Sequence, residues 1–413
     1  MTENRKPRFF YGYIIVVAAF FIMAVMSGTQ YSFGVFFKPL LAEFGWTRGM
    51  TAGAYSMFMI LHGFLFILTG RLNDRFGPRL IMTVSGILMG LGYLLMSQIS
   101  SIWHIYLVYG VIMAIGFSGG YVPLVSTIAR WFVKRRGLMT GIAVAGVGAG
   151  TIVIPPAATW VISSYGWRNS YIAVGIVAMV VIVSAAQFLK RDPGHMGYSP
   201  YGGGEIKTER VDSQARGLSL SEAIHTRQFW VLVTMFLCFG FTIQAIMVHI
   251  VPHVTDLGIS AIIASNILAS VGALSIAGRL IMGSAGDRIR CKLSVIISLI
   301  LMSISVFGLL VANETWMFYL IAIIFGFGYG GVVALQSPVV AELFGLRSHG
   351  VLVGIIACSV TFGGGIGPAF AGYIFDIMNS YQLAFLVCAV VAIMATVLTL
   401  LLRPVISEEG TND

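Results

Sequence analysis

The sequence predicts an all-α membrane protein: twelve transmembrane helices arranged as two pseudo-symmetric six-helix halves. Three observations predict it. First, 58% of the 413 residues are apolar and only 10% are charged, whereas a soluble chain carries about 25% charged residues. Second, the apolar residues, roughly 240 of them, fall into runs long enough to cross a ~30 Å hydrocarbon core, each crossing taking about 20 residues. Third, sequence motifs recur 213 residues apart.

The runs cover about 11–37, 52–70, 80–99, 103–128, 137–161 and 169–189, then 229–251, 259–282, 294–312, 316–341, 350–375 and 381–402. The first is too long for a signal-peptide core and lacks a small-residue cleavage site, so it is expected to remain as span 1. Spans 1–6 form a unit over 1–189 and spans 7–12 a unit over 229–413, joined by a polar linker over 190–228. The linker starts rich in Gly, Pro and Tyr, as flexible segments do. Its end, Ser219 to Arg227, reads as a short helix with Ser219 or Ser221 as N-cap. The four cysteines lie far apart, which supports neither a disulfide framework nor a zinc site.

The chain holds 25 Lys and Arg. With a cytoplasmic N-terminus, 21 of them fall in inside segments and three (Lys38, Arg48, Arg168) in outside loops, leaving only Arg279 within a span. The positive-inside rule therefore places both termini in the cytoplasm. It also explains the net charge of +9 as topology, so no nucleic-acid partner is expected.

Between spans 2 and 3 stands the stretch Gly70 to Arg79, and 213 residues on, between spans 8 and 9, stands Gly283 to Lys292. The same offset carries Pro155 to Pro368, Gly137 to Gly350 and Gly141 to Gly354. One offset across separate segments argues for duplicated halves with a substrate site between them near the midplane. Gly70, Asp74, Arg75, Gly77 and Arg79, with Gly283, Asp287 and Arg288, are assigned to cytoplasmic latches. Here glycines would permit a tight turn, and the Asp would meet a helix N-terminus or a basic partner.

Gly70 to Arg79 resembles the loop 2–3 signature of the major facilitator superfamily. Arg130 to Gly146 is similar to the loop 4–5 signature of its monocarboxylate transporters and of the oxalate/formate antiporter family. Gly120-Tyr121-Val122-Pro123, Phe10-Tyr11-Gly12-Tyr13 and Thr226-Arg227-Gln228-Phe229-Trp230 look like the same branch. The resemblance implies the major facilitator fold and a small organic anion as substrate. Three charged positions of the branch depart here. Tyr31 stands where animal monocarboxylate transporters have a span 1 lysine, and Ser275 where they have an acid one turn before the span 8 arginine. Span 11 lacks the lysine of the oxalate exchangers.

Arg279 is the sharpest feature. An arginine inside the hydrocarbon costs at least about 2.5–3.5 kcal/mol, so its presence marks function. Its repeat counterpart is Phe66, so the fold itself does not require a cation there. A lone guanidinium facing a wet cavity suits a carboxylate, which accepts two parallel N–H bonds. One cation favours a monocarboxylate over a dicarboxylate. Tyr329, Tyr121, Tyr31, Asn266 and Gln244 are the polar groups expected around the substrate, the phenols both bonding it and excluding water. His249, and after it His62, are the candidates for proton coupling, because imidazole titrates near neutral pH. The bound anion could itself accept the proton.

The function expected is proton-coupled symport of a small monocarboxylate of the lactate or pyruvate type by a monomer in the cell (inner or plasma) membrane. No cofactor, metal or catalytic residue is expected. The alternative is an exchanger of the oxalate/formate type. An enzyme would need a nucleophile–base pair or a metal cluster, which the sequence does not offer. A receptor would need a signalling domain, for which the tail after Arg403 leaves no room.

Overall fold

The computed structural model describes residues 10–132, 135–196, 200–201, 217–345 and 347–403, except the side chains of Ile67, Gly70, Arg71, Asp74, Arg136, Gly137, His195 and Asp287. Its twelve long apolar helical segments are span 1 (Gly12–Phe44), span 2 (Arg48–Phe76), span 3 (Pro78–Met96), span 4 (Ile102–Trp131), span 5 (Arg136–Tyr165) and span 6 (Trp167–Ala186), followed by span 7 (Arg227–Asp256), span 8 (Ala261–Ile289), span 9 (Cys291–Gly308), span 10 (Thr315–Phe344), span 11 (His349–Met378) and span 12 (Gln382–Leu401). In hydrocarbon every backbone N–H and C=O needs an internal partner, which a helix supplies within its own segment. Before span 7 a short helix over Leu220–Ile224 starts at a capping box in which Ser219 and Glu222 each meet the other's backbone N–H. Trp103, Trp160, Trp230 and Trp316 are exposed close to span ends, the usual level of an interfacial aromatic belt.

The helices run past the apolar runs, and this changes two expectations. Lys38, Arg48 and Arg168 are not in loops, Arg168 being the second residue of span 6. Lys38 lies in the second helix of span 1, Phe33–Phe44, and Arg48 is the first residue of span 2. The expected latch loops are also largely helical: span 2 continues through Gly70 and Arg75 to Phe76, and span 8 continues through Gly283, Asp287 and Arg288 to Ile289. The tight turns shrink to single residues, Gly77 at φ 82° and Arg290 at φ 77°. A helical end keeps the backbone bonded, so it wins over a loop wherever side chains allow it.

Those two turn residues are 213 apart, and so are two other pairs in the left-handed region: Gly45 (φ 66°) with Gly258 (φ 84°), and Gly166 (φ 83°) with Asn379 (φ 51°). Prolines inside helices repeat likewise, Pro39 with Pro252 and Pro155 with Pro368. The two halves thus reverse direction at matching places. One apolar cluster is built almost wholly from spans 1–6, the other from spans 7–12. Between the halves, span 2 packs on span 11 and span 5 on span 8.

Small residues make these approaches possible. A Cβ on Gly150 of span 5 would fall on the Ala24 backbone of span 1, and one on Gly240 of span 7 on the Val360 backbone of span 11. Around Gly141, Gly350 and Gly354 the space is empty. These three lie toward the end of the bundle where span 1 begins and span 12 finishes, called here the terminal end; the opposite is the far end.

Gly150→Val should therefore wedge spans 1 and 5 apart and cost about 1–3 kcal/mol, the usual range for overpacking. The purified protein should melt several degrees lower in detergent. Gly354→Ala should leave the melting temperature within a degree of the wild type.

Candidate functional site

Two breaks within the spans bring polar side chains to the interior. Span 1 is interrupted at Ser32, whose hydroxyl bonds the Gly28 carbonyl at 2.7 Å; Gln30 and Tyr31 sit at this break. Span 4 is interrupted over Gly119–Tyr121 and restarts at Val122 with Pro123 in its first turn. Proline needs no N–H partner there, so the break is cheap, and it presents Tyr121 at the start of the new helix.

Arg279 stands ten residues from the terminal end of span 8 and is only 9% exposed. Its Nη2 donates to the Tyr329 hydroxyl of span 10 at 3.3 Å, and its Cζ lies 5.5 Å from the Tyr329 ring centre. The Tyr329 and Tyr31 hydroxyls are 3.1 Å apart, which joins the two halves directly. Either phenol can donate in that pair, so one phenolic hydrogen remains available. Arg279 Nε and Nη1 have no partner. A guanidinium carries five N–H groups, and one is used by Tyr329. Whichever edge of the fork that bond occupies, the other edge keeps two parallel donors. Among the described residues no carboxylate pairs with Arg279.

Tyr121 is within electrostatic reach of Arg279 and Tyr329, yet 44% exposed. A side chain that is both near a buried cation and accessible faces an interior space. Arg279, Tyr329, Tyr31 and Tyr121 are therefore brought together. Gln244 lies one layer farther from the terminal end. Its Oε1 accepts from Tyr55 at 2.9 Å, and Tyr55 in turn accepts from Gln30 Nε2 at 3.2 Å. Asn266 does not join the cluster. It is exposed on span 8, thirteen residues and so about 20 Å along the helix from Arg279.

The two histidines differ sharply. His249 is 0% exposed; its Nδ1 meets the Tyr381 hydroxyl and its Nε2 the Pro368 carbonyl, both at 2.9 Å. His62 is 7% exposed, packed among Phe58, Phe66 and Phe117. The Phe117 backbone comes near its ring, but neither ring nitrogen finds a partner in hydrogen-bond geometry.

The side chains of Asp74 and Asp287 lie outside the described residues. Arg79 is engaged within its own half, donating from Nε to Gln187 at 2.9 Å. Arg75 and Arg288 are exposed. The ion pairs that tie the halves together lie at the far end and were not anticipated from the sequence. Asp256 of span 7 receives Lys38 at 2.7 Å and Arg48 at 2.7 Å. Asp376 of span 11 accepts the backbone N–H groups of Arg48 and Gly49 at 2.8 and 2.6 Å, capping span 2 across the interface. Arg48 also donates to Tyr381 at 2.7 Å. Among the described residues, every ion pair between the halves is at this end, whereas the space around Gly141, Gly350 and Gly354 at the terminal end is empty. The available signal was the four charges at span ends, but a sequence does not say which of them meet.

The chain matches the Major Facilitator Superfamily model over residues 18–280 and 231–413. It is 26% identical over 392 residues to monocarboxylate transporter 13 of Rattus norvegicus, covering 91% of this chain and 85% of that one. It is also 26% identical over 403 residues to the oxalate:formate antiporter of Oxalobacter formigenes, covering 96% and 92%. In fold it is similar to a bacterial homologue of the human lysosomal transporter Spinster, solved inward-facing and unoccupied, with a TM-score of 0.77, 16% identity and coverage of 96% and 97%. Twelve membrane-length apolar helices in two repeated halves, a polar cluster between them, and a family match running over nearly the whole chain lead to one conclusion: this multi-pass membrane protein is a transporter, not an enzyme, and belongs to the major facilitator superfamily.

Proposed function

We propose that the protein is a proton-coupled symporter of a small monocarboxylate, of the lactate or pyruvate type, working by alternating access with both termini cytoplasmic. The observation that carries this is Arg279: buried, bonded only to a phenol, with Nε and Nη1 unpartnered. A desolvated cation with no counter-ion is expensive, and a planar carboxylate on its free edge removes that expense with two charge-assisted bonds. The spare phenolic hydrogen of the Tyr31–Tyr329 pair suits a keto or hydroxyl oxygen beside the carboxylate. A single cation suits a single carboxylate. The relatives named for monocarboxylates support the substrate class, and the lysine and arginine distribution supports the orientation in the cell membrane.

For the proton, His62 is the better placed of the two histidines. It keeps an uncommitted lone pair on span 2, the counterpart of span 8. The bound carboxylate, once dry, is the second acceptor. The protein works as a monomer in this reading, each half supplying part of one site.

A second reading is supported by the likeness to the oxalate:formate antiporter: exchange of small organic anions at the same arginine. It differs in requiring an anion on the opposite side and no pH gradient.

In proteoliposomes with labelled lactate and pyruvate and an inward proton gradient, Arg279→Ala and Arg279→Lys should both cut uptake. Leaving a buried charge interaction unmade costs at least about 2 kcal/mol, so the loss below saturation should be roughly 30-fold or more. Uptake undiminished in both variants would sink the proposal. Tyr329→Phe should cost less, about 2- to 12-fold, as for a neutral hydrogen bond of 0.5–1.5 kcal/mol. Uptake that ignores the proton gradient but rises with unlabelled anion inside would select exchange instead. Under symport with His62 as the proton carrier, His62→Gln should abolish accumulation driven by the proton gradient while leaving counterflow of the anion intact.

A further inference from the structure

We infer that the far-end cluster is a gate whose closed form requires His249 to be uncharged, so that protonation of His249 and opening of the far end occur together. This rests on alternating access, but neither on Arg279 nor on the identity of the anion.

The gate ties spans 1 and 2 to spans 7, 11 and 12. Lys38 reaches Asp256. Arg48 grips both oxygens of Asp256, at 2.7 and 3.0 Å, and lies 3.6 Å over the Phe375 ring. Asp376 holds the two amides at the start of span 2. All of these contacts join one half to the other, so all must break for the interior to open to the far side.

His249 belongs to this cluster through a chain of hydrogen bonds with a fixed direction. Arginine only donates and a carbonyl only accepts. Arg48 Nη1 therefore donates to the Tyr381 oxygen, and His249 Nε2 must carry a hydrogen for the Pro368 carbonyl. In the neutral imidazole Nδ1 is then bare, and it accepts the Tyr381 hydrogen at 2.9 Å. Every group along the chain is satisfied.

A second proton on His249 breaks this order. Nδ1 becomes a donor facing a hydroxyl whose hydrogen points at it. Tyr381 would have to turn that hydrogen away, toward Phe375 and Phe385, the rings that pack on it. The charges offer no compensation. Facing His249 are Lys38 from span 1, Arg48 from span 2, Asp256 and His253 from its own span, and Asp376 from span 11. The two cations and two carboxylates among them balance. Asp256 is already shared by Lys38 and Arg48, and Asp376 is taken by two amides. An imidazolium would thus be an unpaired charge on a residue with no exposure at all, beside a guanidinium. Its own helix and span 1 offer only Phe37 and the rings around His253. In the open form water reaches the ring and this penalty is gone. By linkage, the closed form is favoured where His249 is deprotonated and is lost as pH falls.

The test is a distance measurement across the far end without substrate. Spin labels go at Ser164 and Leu257, exposed at that end in opposite halves, in the full chain with its four cysteines replaced. Electron–electron resonance distances are then recorded in liposomes from pH 8 to pH 5. In the wild type the ratio of long to short distances should rise as pH falls, by up to about tenfold per unit for one proton. His249→Gln, whose amide can donate to Pro368 and accept from Tyr381, should stay closed and flat with pH. Asp256→Asn should raise the long-distance population at every pH. A wild type that does not respond to pH, or a His249→Gln protein that responds as the wild type does, overturns the proposal. If His249→Gln fails to fold, Tyr381→Phe replaces it: removing the hydroxyl should weaken the closed form and reduce its pH dependence, and an unchanged profile overturns the proposal equally. Arg279→Ala in the same labelled background should keep the wild-type response, which separates failure of the gate from failure of the anion site.

Discussion

In hydrocarbon no backbone polar group can be left to water, and this constraint governs both the fold and the site. It forces the chain into helices, and it makes each interruption of a helix a place that calls for a local reason. The two interruptions that matter are at Ser32, whose backbone N–H and hydroxyl both bond the Gly28 carbonyl, and before Pro123, whose missing N–H needs no partner. These are the places where Tyr31 and Tyr121 enter the interior.

The second organising fact is an asymmetry laid over a repeat. The halves match in their left-handed turns and in their helical prolines, so they are the same object folded twice. Their chemistry is not the same. Phe66 stands opposite Arg279, and Ser275 opposite His62. The buried cation is in one half, and the Tyr31–Tyr329 bond beside it reaches across to the other. A polar cluster divided in this way is complete only when both halves contribute to it.

The spans, their repeat and Arg279 were legible in the sequence because each is a one-dimensional signal: an apolar run, a constant offset, a charge where none should be. The helix ends were not. Gly70 to Phe76 reads as a charged turn, yet its backbone prefers to stay bonded, and only Gly77 leaves the helix. The far-end contacts were illegible for another reason. Lys38, Arg48, Asp256 and Asp376 look like ordinary flanking charges, since surface charges carry no mark of their partner. Their meaning lies in pairings between residues more than 200 positions apart, which no local pattern encodes. His249 drew attention as a titratable group near Pro252, but its two bonds, one to a side chain of the last span and one to a proline carbonyl, could not be read from its neighbours in sequence.

The two polar centres stand in opposite electrostatic conditions, and that contrast is the physical basis of a switch. Around Arg279 the charge meets a phenol and, among the described residues, no carboxylate, so a buried guanidinium is left unbalanced. At the far end the charges already cancel, with Asp256 and Asp376 fully used, so the closed form is stable until a charge is added or a contact is lost. A buried network that is completely satisfied resists partial change, because breaking one bond strands several groups at once. The far end is therefore held or released as a unit, whereas Arg279, bonded only to Tyr329, has no such network around it.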